Sequence, residues 1–447
     1  MSKSNARNNV RRATSVGTAS RRDFLKRSAI AGAAAAAGLS VARAAHATGS
    51  DVLRVALVGA GGRGTGAAMD ILGTKANVKL VAVADAFPER VAGAVKNLAK
   101  GQPGRVDVPK ERQFAGLDAY EKAIQCGVDL VLLCSPPGFR PAQFEAAVAA
   151  GKHVFMEKPV ATDSPGVRRI LAANLAAKEK KLAVAVGHHL RHETKHQEVV
   201  KRIHDGLIGQ VKFLRVYFNT SGIWVRPRRP GQTEMQYQVY NWYHFVWLSG
   251  DHLVEQHVHD IDVGNWIQRA HPVRANGLGG RQVRFQPGIG EIFDHHAVEF
   301  EYADGSRMFS CCRQIPNCWD SFSQHAHGTK GYASIDGHGN SELCVDGQAP
   351  LRWKRTADGH QVEMEDLVAA LAAGKPYNEA DSAAESTMTA ILGRMATYSG
   401  KMVEWDAALA STLDLSPAEC TWDAVPKSKP AADGVYPCAM PGLSKAW

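Results

Sequence analysis

Residues 53–64 read LRVALVGAGGRG, and this stretch decides the fold. Six mainly apolar residues precede Gly59, Gly61 and Gly64, which occupy the glycine positions of a G-x-G-x-x-G turn. In such a turn the first glycine permits the sharp bend, the second lets the backbone approach a pyrophosphate, and the third allows close strand–helix packing. The amides that open the following helix attract the phosphates. We therefore predict a buried strand, a nucleotide-binding turn and a helix.

Asp85 strengthens this prediction because it ends the next apolar run, 21 residues after Gly64. A carboxylate at this point can bond the ribose hydroxyls of an adenosine, and it would repel a 2′-phosphate. We therefore expect NAD rather than NADP. Gly62 and Arg63, within the glycine turn, are expected to contact the cofactor as well. The alternative interpretation of Asp85 is a helix cap ahead of Pro88.

Short apolar runs alternate with helical segments through the first part of the chain. After the first run they cover residues 79–84, 128–133, 153–156 and 182–186. Continuous apolar strands separated by helices indicate a parallel sheet that is covered on both faces. We therefore predict an α/β Rossmann domain over residues 51–185.

The pattern changes to antiparallel strands after about residue 210. The expected strands are 211–219, 273–286, 296–302, 306–313 and 332–335, with one helix over 253–267 among them. This pattern predicts an α+β domain over residues 186–400 with a mainly antiparallel sheet. Helices are expected at 363–373 and 379–399, and these last helices could return to the Rossmann domain. Residues 401–447 form a C-terminal extension.

The first 47 residues have the features of a twin-arginine signal peptide. Residues 20–27 read SRRDFLKR, and a small-residue apolar run follows over 29–39. Two A-x-A sites, at 42–44 and 45–47, suit cleavage, and the alternative is an uncleaved anchor. The twin-arginine machinery exports folded proteins, so we expect a periplasmic or otherwise exported enzyme that acquires its cofactor before export.

The charge of +9 does not indicate nucleic-acid binding. Residues 1–47 hold nine Lys/Arg and one Asp, a charge of +8, so +9 less +8 leaves about +1 for the remainder. A nucleic-acid footprint requires a clustered basic face on the folded domain, so we exclude this class. Eight cysteines are few for 447 residues, and Cys420 with Cys438 is the only disulfide that we consider.

Residues 157–159 read Glu-Lys-Pro directly after the apolar run 153–156. Lys158 is therefore expected at the carboxyl edge of the sheet, where open α/β sheets bind their ligands. A lysine at this edge can bond a substrate hydroxyl and favour its alkoxide. The alternative is a surface lysine whose stem packs against the sheet edge.

A second cluster of titratable residues lies in the helix expected over 253–267. On a continuous helix, His252, Glu255, His259 and Asp262 would share one face, and a histidine with a carboxylate could act as an acid/base pair. Metal binding is the rival interpretation, but H-x-x-E-x-H matches no standard zinc helix, so we predict no metal. A buried polar network remains a further alternative.

Together, these motifs resemble the glucose-fructose oxidoreductase / inositol dehydrogenase / rhizopine-catabolism (Gfo/Idh/MocA) family over roughly residues 52–400. The resemblance rests on the glycine turn, Asp85, Glu157-Lys158-Pro159 and the spacing of Glu255, His259 and Asp262. It implies a Rossmann domain followed by a large open-faced sheet, with homo-oligomers formed through that sheet. Lys158 would orient and activate a sugar hydroxyl, and His259 would be the general acid/base. Glu255 stands where the family usually has Asp, as a further catalytic residue.

The resemblance also implies roles for residues outside these motifs. Ser135 and Pro136, in a loop that departs from the T-P-N-x-x-H pattern of the family, would contact the cofactor together with Glu157 and Lys158. His189, Arg191 and Asp262 would face the substrate. Tyr243 lies in the aromatic run NWYHFVW, residues 241–247, which suits stacking on a sugar ring and core packing equally well.

These features predict an NAD-dependent oxidoreductase that acts on a hydroxyl of a carbohydrate or cyclitol. An exported enzyme cannot exchange NADH with a cytosolic pool, so we expect tightly bound cofactor and a redox cycle that closes on the enzyme. One route oxidises one sugar and reduces another. In a second route, transient oxidation permits elimination from a glycoside, which makes the enzyme an NAD-dependent glycosidase or lyase. The non-enzymatic alternative is a sugar- or nucleotide-sensing binding protein.

Overall fold

A computed structural model describes residues 52–355 and 357–445. The predicted signal peptide, residues 1–47, lies outside these ranges. Within them, no helix combines the length and the apolar character that crossing a membrane requires.

The first domain contains the predicted parallel sheet. Its strands are β1 (Leu53–Val58), β2 (Val78–Asp85), β3 (Gln113–Ala115), β4 (Leu130–Leu133), β5 (His153–Met156) and β6 (Val184–Val186). They pair in the order β3-β2-β1-β4-β5-β6, and every pair is parallel. The strands are almost continuously apolar and buried because helices cover both faces. The predicted Rossmann fold is confirmed.

The helices between these strands are α1 (Gly62–Gly73), α2 (Pro88–Gly101), α3 (Ala119–Ile124), α4 (Arg140–Ala149) and α5 (Ser164–Glu179). A helix from much later in the chain, α11 (Gly359–Ala372), also packs on this sheet and against α1. Its Met364 and Leu367 share a buried cluster with Leu132 and Phe155. The late helix brings its N-terminus to the edge where the glycine turn lies.

The second domain contains a nine-stranded sheet in the order β14-β13-β12-β11-β7-β10-β9-β8-β15. Its strands are β7 (Val211–Thr220), β8 (Arg274–Gly280), β9 (His295–Glu301), β10 (Arg307–Gln314), β11 (Ser321–Gly328), β12 (Gly331–Asp336), β13 (Ser341–Val345), β14 (Leu351–Trp353) and β15 (Val403–Glu404). All pairs are antiparallel except β7 with β10. The predicted mainly antiparallel sheet is confirmed, although β8 ends at Gly280, earlier than expected.

The remaining helices pack on this sheet or connect the two domains. They are α6 (Thr194–His204), α7 (Glu234–Tyr240), α8 (Val246–Ser249), α9 (His252–Glu255), α10 (Val258–Gln268), α12 (Ala380–Ser399) and α13 (Trp405–Ala410).

The single helix expected over 253–267 is wrong, because the chain breaks between α9 and α10. Gln256 accepts from the Tyr243 hydroxyl at 2.9 Å, while His257 Nε2 lies 2.8 Å from the Ser310 hydroxyl. These side chains fasten the break to its surroundings, and the amide of His257 bonds back to the His252 carbonyl. His252 is therefore separated from the face that carries His259.

The C-terminal extension beyond α13 has no regular secondary structure among residues 411–445. Cys420 and Cys438 are both free thiols in this structure, so the disulfide considered between them is absent.

Candidate active site

The glycine turn leaves room for a phosphate group at Gly61 and Gly62 but not at Gly59 or Gly64. A Cβ on Gly59, whose φ is +92°, would lie 2.3 Å from the Ser135 amide nitrogen, and one on Gly64 would lie 1.8 Å from the Gly59 carbonyl oxygen. At Gly61 the sole neighbour within 4 Å is Nη1 of Arg90, at 3.9 Å. The two outer glycines allow close packing, while the open middle position fits a pyrophosphate at the start of α1.

A cavity of about 450 Å³ opens above this turn, within the size range of cofactor and ligand pockets. Most of the predicted cofactor residues line it: Gly59, Gly61, Gly62, Arg63, Gly64, Asp85, Ser135 and Pro136. The second domain adds residues that sequence reasoning missed: Trp224, Arg226, Val239, Tyr240 and Trp242. The predicted contacts Glu157 and Lys158 do not line this cavity.

Asp85 is fixed at the edge of the cavity by two backbone amides. Its carboxylate accepts from Ala60 at 2.7 Å and from Phe87 at 3.0 Å. Burial raises the pKa of Asp85 above its usual range, while these bonds and the nearby Arg90 oppose the rise. Since each oxygen retains a free lone pair, the carboxylate can still accept from ribose hydroxyls. The cap that we considered ahead of Pro88 is not formed, because Phe87 is the N-cap of α2 and no side-chain hydrogen bond caps it.

Glu157 does not line the cavity but contacts Arg63 of the glycine turn. Arg63 Nε lies 2.8 Å from Glu157 Oε1, and the carboxylate is largely buried. The buried Arg140 supports the same edge by donating to the carbonyls of Ser135 and Pro159. The glycine turn is thereby joined to the loop that carries Lys158.

Lys158 and Glu255 meet across the domain boundary. The ammonium donates to the backbone carbonyl of Glu255 and lies 3.1 Å from its carboxylate oxygen Oε1. Both side chains are mostly buried, at 11% and 13% exposed. Lys158 is thus held by a neighbour rather than free at the surface, which argues against a surface lysine.

His259, at the start of α10, lies beside two other histidines. Its ring centroid is 4.8 Å from that of His189 and 6.3 Å from that of His188. Burial, and then the positive charge of Lys158 and the two histidines, lower the pKa of His259 well below 6.5. The imidazole is therefore neutral at pH 7, and its Nδ1 has no hydrogen-bond partner among residues 52–355 and 357–445. A neutral, unpartnered imidazole can accept a proton.

His360 completes this group of rings and was missed from sequence. It stacks on His189 at 4.0 Å between centroids with an interplanar angle of 20°. Burial lowers the pKa of His189 to about 4, so this predicted substrate residue is also neutral. His360 lies in α11, and nothing in the local sequence indicates that this helix reaches the site.

Arg191 and Asp262, which we expected to face the substrate, bind each other. The guanidinium donates to both carboxylate oxygens at 2.7 and 2.9 Å, and Ser386 donates to the carboxylate at 2.7 Å. Asp262 is 1% exposed. A carboxylate buried this deeply requires a charged partner, and Arg191 provides it, so the pair fixes α10. The Arg191 side chain stays 21% exposed, and its contact with a substrate remains a prediction.

Tyr243 does not line the site either. Its ring is buried, and its hydroxyl donates to Gln256 at 2.9 Å while accepting from Gln314 at 2.7 Å. Core packing therefore explains its place in the aromatic run, and the neighbouring Trp242 lines the cavity instead.

Residues 53–188 match the model of the Gfo/Idh/MocA family, described as an oxidoreductase family with an NAD-binding Rossmann fold. The chain is 27% identical to inositol 2-dehydrogenase of Rhizobium meliloti over 336 residues, which is 72% of this chain and 89% of the relative. An inositol 2-dehydrogenase of Acidiphilium cryptum is 25% identical over 335 residues, 72% of this chain and 87% of the relative.

Solved structures share the fold over about four fifths of this chain. Scyllo-inositol dehydrogenase of Lactobacillus casei, with bound NAD(H) and scyllo-inositol, has a TM-score of 0.61 and 19% identity, covering 80% of this chain and 100% of the other. Aldose-aldose oxidoreductase of Caulobacter crescentus has a TM-score of 0.61 and 18% identity, covering 79% and 100%.

The glycine turn, the fixed Asp85 and the lysine–histidine site between the two domains define a nucleotide-dependent oxidoreductase. Its cofactor is NAD. The nucleotide-binding domain, residues 53–188, belongs to the Gfo/Idh/MocA oxidoreductase family.

Proposed function

We propose that this protein oxidises a ring hydroxyl of a cyclitol or closely related sugar. The observation that carries the proposal is the ion pair of Lys158 with Glu255 at the carboxyl edge of the sheet, with His259 close enough for the Lys158 charge to lower its pKa. Glu157 and Arg63 join this edge to the glycine turn. The names of the relatives that span both domains, inositol 2-dehydrogenases, favour a cyclitol.

Each of the three residues has one task in this proposal. When bound, NAD supplies the hydride acceptor. The Lys158 ammonium donates to the reacting hydroxyl oxygen and stabilises negative charge as it develops. The neutral His259 accepts the hydroxyl proton. Glu255 keeps the ammonium at the domain boundary, and its side chain is one methylene longer than the aspartate usual in the family.

The test is oxidation of a panel of cyclitols, aldoses and glycosides by the purified full-length chain with NAD. We expect NADH absorbance with at least one inositol, and if the cofactor is retained this absorbance should stop at about one equivalent per chain until a second sugar reoxidises it. Release of aglycone without net NADH would favour the glycosidase route instead. Saturable binding of NAD and a cyclitol without turnover of any panel member would reject the enzyme in favour of the sensor.

We further propose that the enzyme is exported with its NAD in place and recycles it. A stretch that we call the cover segment, residues 221–242, supports this proposal. It leaves β7 and crosses the adenosine end of the cavity. The guanidinium of Arg226 stacks 3.6 Å above the ring of Trp224 and 5.1 Å from that of Tyr240. Such cation–π layers form a rigid wall.

The cover segment is fastened from both sides. Arg229 contacts Glu89 of α2 at 2.8 Å and the Tyr240 hydroxyl at 2.9 Å. On the other side, two side chains of the segment donate to the C-terminal extension. The Thr233 hydroxyl donates to the Trp422 carbonyl at 2.9 Å, and the Gln238 amide donates to the Ser428 carbonyl at 2.8 Å. Separation of these contacts would widen the adenosine end of the cavity, and their number favours retention of a bound nucleotide over many turnovers.

Tyr240→Ala is expected to release NAD about tenfold faster than the wild type, because it removes stacking worth about 1–2 kcal/mol. The measurement is NAD content, by mass spectrometry, of protein recovered from the periplasm without added nucleotide, followed over time after dilution. Tyr332→Ala, on the exposed face of the sheet, is the matched control. Wild-type protein that emerges without nucleotide, or equal release rates in the three proteins, would reject retention by the cover segment.

A further inference from the structure

A cluster of three residues that could bind a metal ion lies outside the proposed active site. It comprises Asp251 just before α9, His252 at the start of α9, and His296 in β9. These residues are 0%, 1% and 2% exposed. One ligand atom from each lies within 4.8 Å of the other two. We call them the Asp-His-His cluster.

The hydrogen bonds of His296 leave one of its nitrogens unexplained. Nδ1 lies 2.9 Å from the Thr397 hydroxyl, which itself donates to the Arg394 carbonyl at 3.1 Å. The hydroxyl must therefore accept, so Nδ1 carries a hydrogen. The other nitrogen, Nε2, lies at ion-pair distance from Asp251 Oδ2, 3.3 Å, but within the described ranges it forms no hydrogen bond of good geometry.

His252 presents a second unexplained nitrogen to the same carboxylate. Its Nε2 lies 3.9 Å from Asp251 Oδ1, too far for a hydrogen bond, and has no other partner in the described chain. The two imidazole rings are 4.8 Å apart between centroids. A buried ring nitrogen without a hydrogen-bond partner is unfavourable, and here two such atoms converge on one carboxylate.

We propose that the Asp-His-His cluster binds a divalent first-row transition-metal ion, with zinc as its best match. Two imidazole nitrogens and one carboxylate oxygen form an established zinc donor set, with bonds of about 2.0–2.2 Å. A charged His296 paired with Asp251 would satisfy one of the two nitrogens, whereas a cation between the three groups satisfies both.

The surroundings of the cluster already orient its donors. Oδ2 of Asp251 accepts from the Phe293 amide at 3.0 Å and from the Tyr398 hydroxyl at 2.5 Å. Oδ1 accepts from the backbone amide of His252 and keeps a lone pair that can bind a metal ion. Thr397 fixes the His296 ring through its outer nitrogen. Metal ligands in proteins characteristically have such outer partners, which set the tautomer and the ring plane.

Because the cluster is closed to solvent, the proposed ion would stabilise the fold and would not meet a substrate. It would join Asp251 and His252, four and three residues before Glu255, to β9 of the large sheet. This site therefore stabilises the segment that carries the partner of Lys158. It is distinct from the NAD-dependent chemistry and would be present in the protein with or without cofactor.

The test is metal analysis of the full-length chain, purified without a polyhistidine tag or chelators. Inductively coupled plasma mass spectrometry should find about one zinc or similar ion per chain. His296→Gln should lower the metal content at least tenfold, and circular dichroism checks that the variant is folded. His295→Gln is the matched control, because this neighbour lies on the opposite face of β9, pairs with Asp294 and is 39% exposed at its side chain. Wild-type protein that stays metal-free after folding in the presence of zinc would overturn the proposal.

A second measurement does not depend on whether His296→Gln folds. Selective ¹⁵N labelling of histidine in the wild-type protein reports whether Nε2 of His296 carries a proton. A bound metal ion requires an unprotonated Nε2. In addition, protein from cells grown on cobalt should show the visible absorption of a bound Co²⁺ ion. A His296 with protons on both nitrogens would instead establish a simple ion pair with Asp251 and reject the metal site.

Discussion

His259→Asn is expected to lower kcat/KM for alcohol oxidation by about 10²–10⁴-fold, because it removes the group that accepts the hydroxyl proton. The neutral imidazole is the active form of a base, so activity is present above the pKa of His259 and is lost as the pH falls through it. That pKa lies well below 6.5. The acid limb of the kcat/KM profile should therefore lie well below pH 6.5 in the wild type and disappear in the variant.

His271→Asn is the matched control, since this histidine stacks on Trp405 outside the site, at 3.9 Å. It should retain wild-type kinetics, and both variants should retain their NAD. An acid limb that persists unchanged in His259→Asn would assign the proton acceptor to another group, with His189 as the nearest ring.

Lys158→Met is expected to lower kcat by about 10²–10³-fold, because the ammonium that stabilises the developing alkoxide is lost. The methionine side chain fills a similar volume, so the loss should fall on kcat more than on NAD content. Lys158→Arg keeps the charge but spreads it over a planar group, and it should recover only part of the activity. Steady-state kcat and KM of the three proteins are the measurement.

Lys152→Met provides the comparison at the opposite end of β5, where a lysine cannot reach the site. Its kinetics should match the wild type. If Lys158→Met raised KM alone and left kcat intact, Lys158 would be a binding residue and the proposed charge stabilisation would be wrong.

The sequence predicts the nucleotide site well because its signals are local. The glycine spacing, the apolar run before it and Asp85 at the end of the next strand each require a particular backbone, and the structure places them together. Lys158 and Glu255 each lie in a sequence motif, and the structure brings the two motifs together at the domain boundary. These residues lie 97 positions apart, and only the resemblance to a known family links them from sequence.

The remainder of the site depends on contacts that no local pattern contains. The break between α9 and α10 arises from bonds of Gln256 and His257 to distant groups, which a helical spacing cannot indicate. Arg191 and Asp262 have the residue types of a substrate site, yet in the structure they form an ion pair with each other. His360 reaches the histidine rings only because α11 returns to the first domain.

The contacts between the cover segment and the C-terminal extension can form only late in synthesis of the chain. Residues 411–445 are the last described part of the chain to leave the ribosome, and until they dock, the contacts at Trp422 and Ser428 cannot form. The nascent protein therefore passes through a stage in which both domains have been made while the adenosine end of the cavity is still incompletely secured. Docking of the extension then completes the contacts of the cover segment.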